Sequence, residues 1–120
     1  MKRTHDQAGA VTAETAVVLP VIVVFALGLA WLVALGGTQV RALDAARETA
    51  RAVARGEDDA AGVDLGRRVA TSGARITVSD EGATIAVTVE APVRGPGGIF
   101  EFLPTYHARA TAVAAKEPGS

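Results

Sequence analysis

Hydrophobic and polar positions divide this chain into two unlike parts. From Thr15 to Leu35 the residues read TAVVLPVIVVFALGLAWLVAL, without a single charge. A bilayer core about 30 Å thick is crossed by roughly 20 apolar helical residues, and this run supplies them. A soluble helix that is apolar on every side needs protein around it, and a chain of 120 residues is too short to provide that cover. The run therefore reads as a membrane span. Pro20 lacks an N–H and is expected to bend the helix near its start. Gly28 allows another helix to approach closely, Gly36-Gly37 allows local flexing, and Trp31 suits an interfacial depth. Thr15 is expected to bond back to a helical carbonyl.

Past the apolar run the pattern becomes amphipathic. In TQVRALDAARETARAVAR (Thr38 to Arg55), Val40, Leu43, Ala46 or Arg47, Ala50 and Val53 or Ala54 recur at helical spacing as a narrow, alanine-rich stripe. Arg41–Asp44, Asp44–Arg47 and Glu48–Arg51 are opposite charges three residues apart, and Gly56 is a natural stop. This segment can continue the membrane helix or rest on its own domain, and the two readings are compatible. Asp58 or Asp59 is expected to cap a short helix through Val63, Leu65 and Val69 that ends near Gly73. The period then falls to two. Ile76 and Val78, a turn at Asp80-Glu81-Gly82, and Ile85, Val87 and Val89 predict a β-hairpin. Pro92 to Gly98 reads as a loop, and Phe100, Phe102 and Leu103 as a plug at one end. Tyr106 to Ala115 reads as a third strand, and Lys116 to Ser120 as a polar tail. The expected fold class is α+β: a long transmembrane helix continues into an amphipathic one packed on a small antiparallel sheet.

Charge and composition narrow the chemistry. Lys and Arg number 12 against 13 Asp and Glu, a net charge of −1. Without a bulk cationic field, and with Asp44, Glu48, Glu57, Asp58 and Asp59 cancelling most of the field of the helix arginines, nucleic acid is not an expected partner. There is no cysteine, which excludes disulfides, thiolate metal sites and a Cys nucleophile. The acidic stretch Glu57 to Asp64 lacks the order of a calcium loop and reads as a solvated turn. The glycine-rich loop has no Lys-Ser/Thr after it, and His107 stands alone on a strand. No catalytic set can be assembled, so neither an enzyme activity, a cofactor nor a metal is expected.

One acid stands apart. Glu14 sits at the mouth of the apolar run, where a carboxylate is costly unless paired, although a helix N-terminus in the headgroup zone also tolerates it. Lys2 and Arg3 precede it and favour a cytoplasmic N-terminus, against the pull of Arg41, Arg47, Arg51 and Arg55 on the far flank. In MKRTHDQAG-AVTAETAVVLP a short basic leader ends at Gly9, and Ala10, Glu14, Ala16, Leu19 and Pro20 follow in order. This pattern resembles the type IV pilin class, and more closely the TadE-like pseudopilins of tight-adherence pilus systems. The resemblance covers roughly the first third of the chain. Many of the class carry a large residue where this chain has Ala10, and often Phe where it has Thr15; the Gly–Glu spacing is intact.

The resemblance implies a leader over residues 1–9, a membrane helix over 10–37, its amphipathic extension over 38–56 and an extracytoplasmic head over 57–120. A prepilin-type peptidase would cut between Gly9 and Ala10, small neighbours leaving a strand-like approach open to it. Glu14 would then neutralise the new amine of an adjacent subunit, and Pro20 would shape the helix. The implied partners are that peptidase, other pilin subunits, pilus assembly proteins and membrane lipid. The implied role is a minor pilin or pseudopilin in assembly of a pilus or related secretion apparatus. The competing expectation is a secreted or membrane-tethered small binding domain, with either an ordinary signal peptide cut among Ala34 to Gly37 or an ordinary anchor. Against it, the apolar run exceeds the about 7–15 residues of a signal core.

Overall fold

The computed structural model describes residues 2–95 and 105–118, with side chains from Gly9 onward. In chain order the elements are α1 (Lys2–Ala54), α2 (Asp59–Val69), β1 (Arg75–Asp80), β2 (Thr84–Pro92) and β3 (His107–Ala115). This is the expected α+β architecture. Two compact units divide it, Met1–Leu32 and Val33–Ser120.

The first unit is the N-terminal part of α1. The helix continues through Pro20, inside the element, without the one hydrogen bond that proline cannot donate. Thr15 Oγ1 donates to the Val11 carbonyl at 2.9 Å, the back-bond expected of a hydroxyl on a helix. The apolar side chains find no cover within the protein: Val17, Val21, Val24 and Phe25 are each exposed.

The second unit is the head. Its sheet has the order β1-β2-β3, antiparallel throughout. Alternation decides which side is buried. Ile85, Val87, Val89 and Ala91 on β2 point inward with Ala108 and Ala110 of β3. Thr77, Thr88 and Thr111 share a row on the opposite face, where the Thr88 and Thr111 hydroxyls lie 3.3 Å apart. The hairpin turn is built as the sequence predicts. Asp80 Oδ1 accepts from the Gly82 N–H at 2.9 Å, and Gly82 has φ +89°, a conformation that favours glycine.

Against this sheet packs the C-terminal part of α1. The buried helix residues are Thr38, Ala42, Ala45, Ala46, Thr49, Ala50, Ala52, Val53 and Ala54, and of these Ala42, Ala45, Ala46, Ala50, Val53 and Ala54 cluster with Ile85, Val87, Val89 and Ala110. The predicted stripe is thus displaced. Val40 faces out, and Leu43 is only half-buried. The bulk sits on the sheet and the helix contributes small residues, so the two backbones come close. Gln39 Nε2 adds a hydrogen bond to the Arg109 carbonyl on β3, at 2.8 Å. Of the three anticipated helix ion pairs, only Glu48–Arg51 forms among the described residues, exposed and at 4.0 Å. Pairs of that kind contribute about 0.5 kcal/mol or less, too little to hold long side chains in register.

α1 ends where Gly56 predicts. The Gly56 N–H bonds to the Val53 carbonyl and the Glu57 N–H to Ala52, with Gly56 at φ +96°; this paired closure satisfies carbonyls that the helix leaves free. The Ala54 carbonyl accepts from Glu117 N–H. The expected tail is therefore tied down at its start: Lys116 N–H bonds to the Ala83 carbonyl, and its ammonium reaches Asp80 Oδ2 at 2.7 Å. The anticipated plug of Phe100, Phe102 and Leu103, and the loop from Pro96 to Gly98, lie outside the described residues.

α2 departs from expectation on three counts. Asp58 occupies the N-cap, but its carboxylate makes no capping bond. The helix stops at Val69, ahead of Gly73, which takes φ +86° in the turn to β1. The buried positions are Gly62 and Gly66, while Val69 is exposed. A Cβ at Gly66 would collide with Thr49 Oγ1 and lie 3.2 Å from the Ala45 carbonyl; one at Gly62 would come within 2.8 Å of Val53 Cγ2. Two glycines one turn apart let α2 lie against α1, a packing device the apolar count overlooks.

The Asp80–Lys116 pair makes the head's stability sensitive to acid. The Lys116 ammonium, and then the Gly82 N–H, hold the Asp80 carboxyl below its ordinary value. Because the folded value is the lower one, this contribution is present above about pH 4 and is lost as pH falls through the folded value. The wild type should therefore melt higher than Asp80→Asn at pH 7, with the gap narrowing as the pH falls below about 4; thermal unfolding followed across that range checks it.

Candidate functional site

The residues singled out by the motif all lie on α1. Gly9, Ala10, Glu14 and Pro20 are exposed. Ala10 and Glu14, four residues apart on a helix, share one face about one turn from each other. The backbone from Gly9 to Glu14 is helical, not strand-like as anticipated. Small residues such as Ala10 and Ala13 are good helix formers, and nothing nearby competes for their backbone groups. A protease acting at the Gly9–Ala10 bond must therefore first unwind about a turn of helix.

Glu14 makes no ion pair among the side chains described. From Thr15 to Leu35 the uncharged run spans about 30 Å of helix, the thickness of a bilayer core. Along it the helix is not perfectly convex. Pro20, Val24, Phe25, Gly28 and Leu32 line an open groove of about 610 Å³, deepened where Gly28 has no side chain beside the Phe25 ring. A Cβ at Gly28 would meet nothing within 4 Å. Such a face has room for the side chains of another helix.

Among the described residues no group of three or more His, Asp or Glu is placed to hold a metal ion. His107 is exposed on β3. What the geometry defines is a small α+β head on a helix long and apolar enough to cross a membrane. Comparison with known proteins gives that class a family. Residues 9–51 match the model of the TadE-like protein family. The chain is also 37% identical over 99 residues to the protein called apoptosis inhibitor Rv3655c of Mycobacterium tuberculosis, covering 82% of this chain and 72% of that one. The chain belongs to the TadE-like family, associated with Tad pili. No solved structure matches it. The family match ends at Arg51, close to the end of α1, and takes in Gly9, Glu14 and Pro20 together with most of the helix face that packs on the sheet.

Proposed function

We propose that this protein is a minor pilin or pseudopilin that takes part in assembly of a tight-adherence type IV pilus or related secretion apparatus. A prepilin-type peptidase removes residues 1–9 by cutting between Gly9 and Ala10. The N-terminus lies on the cytoplasmic side and the head outside. After the cut, the Ala10 ammonium and the Glu14 carboxylate of neighbouring subunits pair within the bilayer, and Pro20 shapes the helix that carries them. The protein acts by assembly with other pilin subunits and pilus assembly proteins, without catalysis of its own.

The observation that supports this most directly is Glu14, exposed and without an ion-pair partner among the described residues, at the start of an apolar helical face that those residues leave uncovered. An unpaired carboxylate at that depth is costly, and a cation supplied by a second subunit relieves it. The groove at Gly28 supports the same reading, since it leaves space for a partner helix. The test is the mass of the mature protein. In cells with an active peptidase the intact mass should correspond to a chain beginning at Ala10, and Gly9→Val should retain the full leader. A wild-type chain beginning near Gly37 would instead support an ordinary signal peptide.

A further inference from the structure

A second feature lies in the head, independent of the processing site. α1, Thr71 ahead of β1 and Arg94 just after β2 border an open pocket of about 260 Å³, lined by Ala34, Gly37, Thr38, Arg41, Thr71 and Arg94. We propose that it binds the phosphate of an anionic phospholipid headgroup.

Charge is the first argument. Arg41 and Arg94 are far apart in sequence, yet they line the same pocket, and among the described residues no carboxylate lines it with them. Neither has an ion-pair partner among the described residues, whereas Arg51, Arg55, Arg109 and Lys116 each have one. Two guanidiniums bordering one pocket make a local positive field that attracts an anion. Phosphate suits both, because the planar guanidinium fork donates two parallel hydrogen bonds to its oxygens.

The walls fit that ligand. A Cβ at Gly73 would lie 3.3 Å from Arg94 Nη2 and 3.4 Å from Pro92 Cγ. The turn therefore has glycine where the Arg94 side chain passes, and Pro92 flanks it. A Cβ at Gly37 would meet nothing within 4 Å, so that wall is open. The volume is several times the about 30 Å³ that a water molecule occupies in the liquid.

Position selects the source of the phosphate. Ala34 belongs to the last turn of the uncharged run, and Arg41 is the first charged residue after it. A ligand held between them sits where acyl chains give way to headgroups. There a phosphate attached to apolar chains is held at both ends, and a free phosphate at only one.

The full chain in a neutral detergent, mixed with equal phosphatidylglycerol and phosphatidylcholine, tests this by native mass spectrometry. Phosphatidylglycerol should be retained at least tenfold over phosphatidylcholine. R41Q/R94Q should weaken its binding by roughly 25-fold, at about fivefold for each arginine near a membrane surface. R47Q/R67Q, with the same charge change on arginines outside the cavity, should bind as the wild type does. Should R41Q/R94Q fail to fold, Gly37→Leu keeps both arginines, fills the open wall and should also abolish the preference. Equal retention of the two lipids, or equal effects of the cavity and control variants, would overturn the proposal. So would inorganic phosphate binding as tightly as phosphatidylglycerol, because the site would then serve a soluble anion.

Discussion

Glu14→Ala should yield a protein that is made, inserted and trimmed to Ala10 as the wild type is, yet falls at least a hundredfold in sheared filaments. The magnitude comes from the pairing the variant destroys. Removing one partner of a buried ion pair costs about 3–5 kcal/mol, because the other charge remains unpaired in low dielectric, and that is about two to three orders of magnitude in association. Glu14→Gln should behave like alanine, since an amide carries no charge to match the ammonium. Glu14→Asp should recover part of the loss. Immunoblots of filaments and membranes, paired with intact-mass measurement, separate failed assembly from failed processing. Wild-type amounts of Glu14→Ala in filaments would remove the residue from the assembly step.

The largest effect on the fold itself should come from Gly66. In Gly66→Leu the added side chain must enter space already held by Thr49, Ile76 and the Ala45 carbonyl. The backbone oxygen cannot swing aside, so α2 must lift from α1; overpacking of this kind costs about 1–3 kcal/mol, occasionally more. A head this small has little reserve, and its thermal transition should drop by roughly 10 °C or disappear. Gly66→Ala isolates the cause. Its nearest neighbour is Thr49 Oγ1, which is buried without a hydrogen-bond partner among the described residues. Thr49→Ala alone should therefore be close to neutral, and in combination it should recover part of the Gly66→Ala loss. Strictly additive melting shifts would show that the two residues do not meet.

Much of this architecture is legible in the residues, and the exceptions share a cause. The apolar run, the Gly56 stop, the Asp80–Gly82 turn and the alternation in β1 and β2 are local patterns, each set by the chain's own geometry. What is hidden depends on partners distant in sequence. The buried stripe of α1 contains Ala42 and Ala45 while Val40 faces out, because the sheet supplies the bulk and the helix is selected for closeness. Gly62 and Gly66 read as weak points in a helix until Thr49 and Val53 are seen beside them. A count of apolar residues therefore favoured Val69, which is exposed. At the candidate site, Gly9, Glu14 and Pro20 are recognisable from order and spacing alone. Arg41 and Arg94 are not, since nothing in either one's neighbourhood points to the other.

The order in which these pieces leave the ribosome has a consequence for export. The alanine face of α1 is covered by β2 and β3, and β3 lies far downstream of the helix it helps to cover. Until that strand has been synthesised, the head has no complete core, and contacts between such distant segments form slowly. If the head is exported as proposed, translocation machinery meets a finished anchor followed by a still-pliable chain, and the head closes only once its last strand arrives.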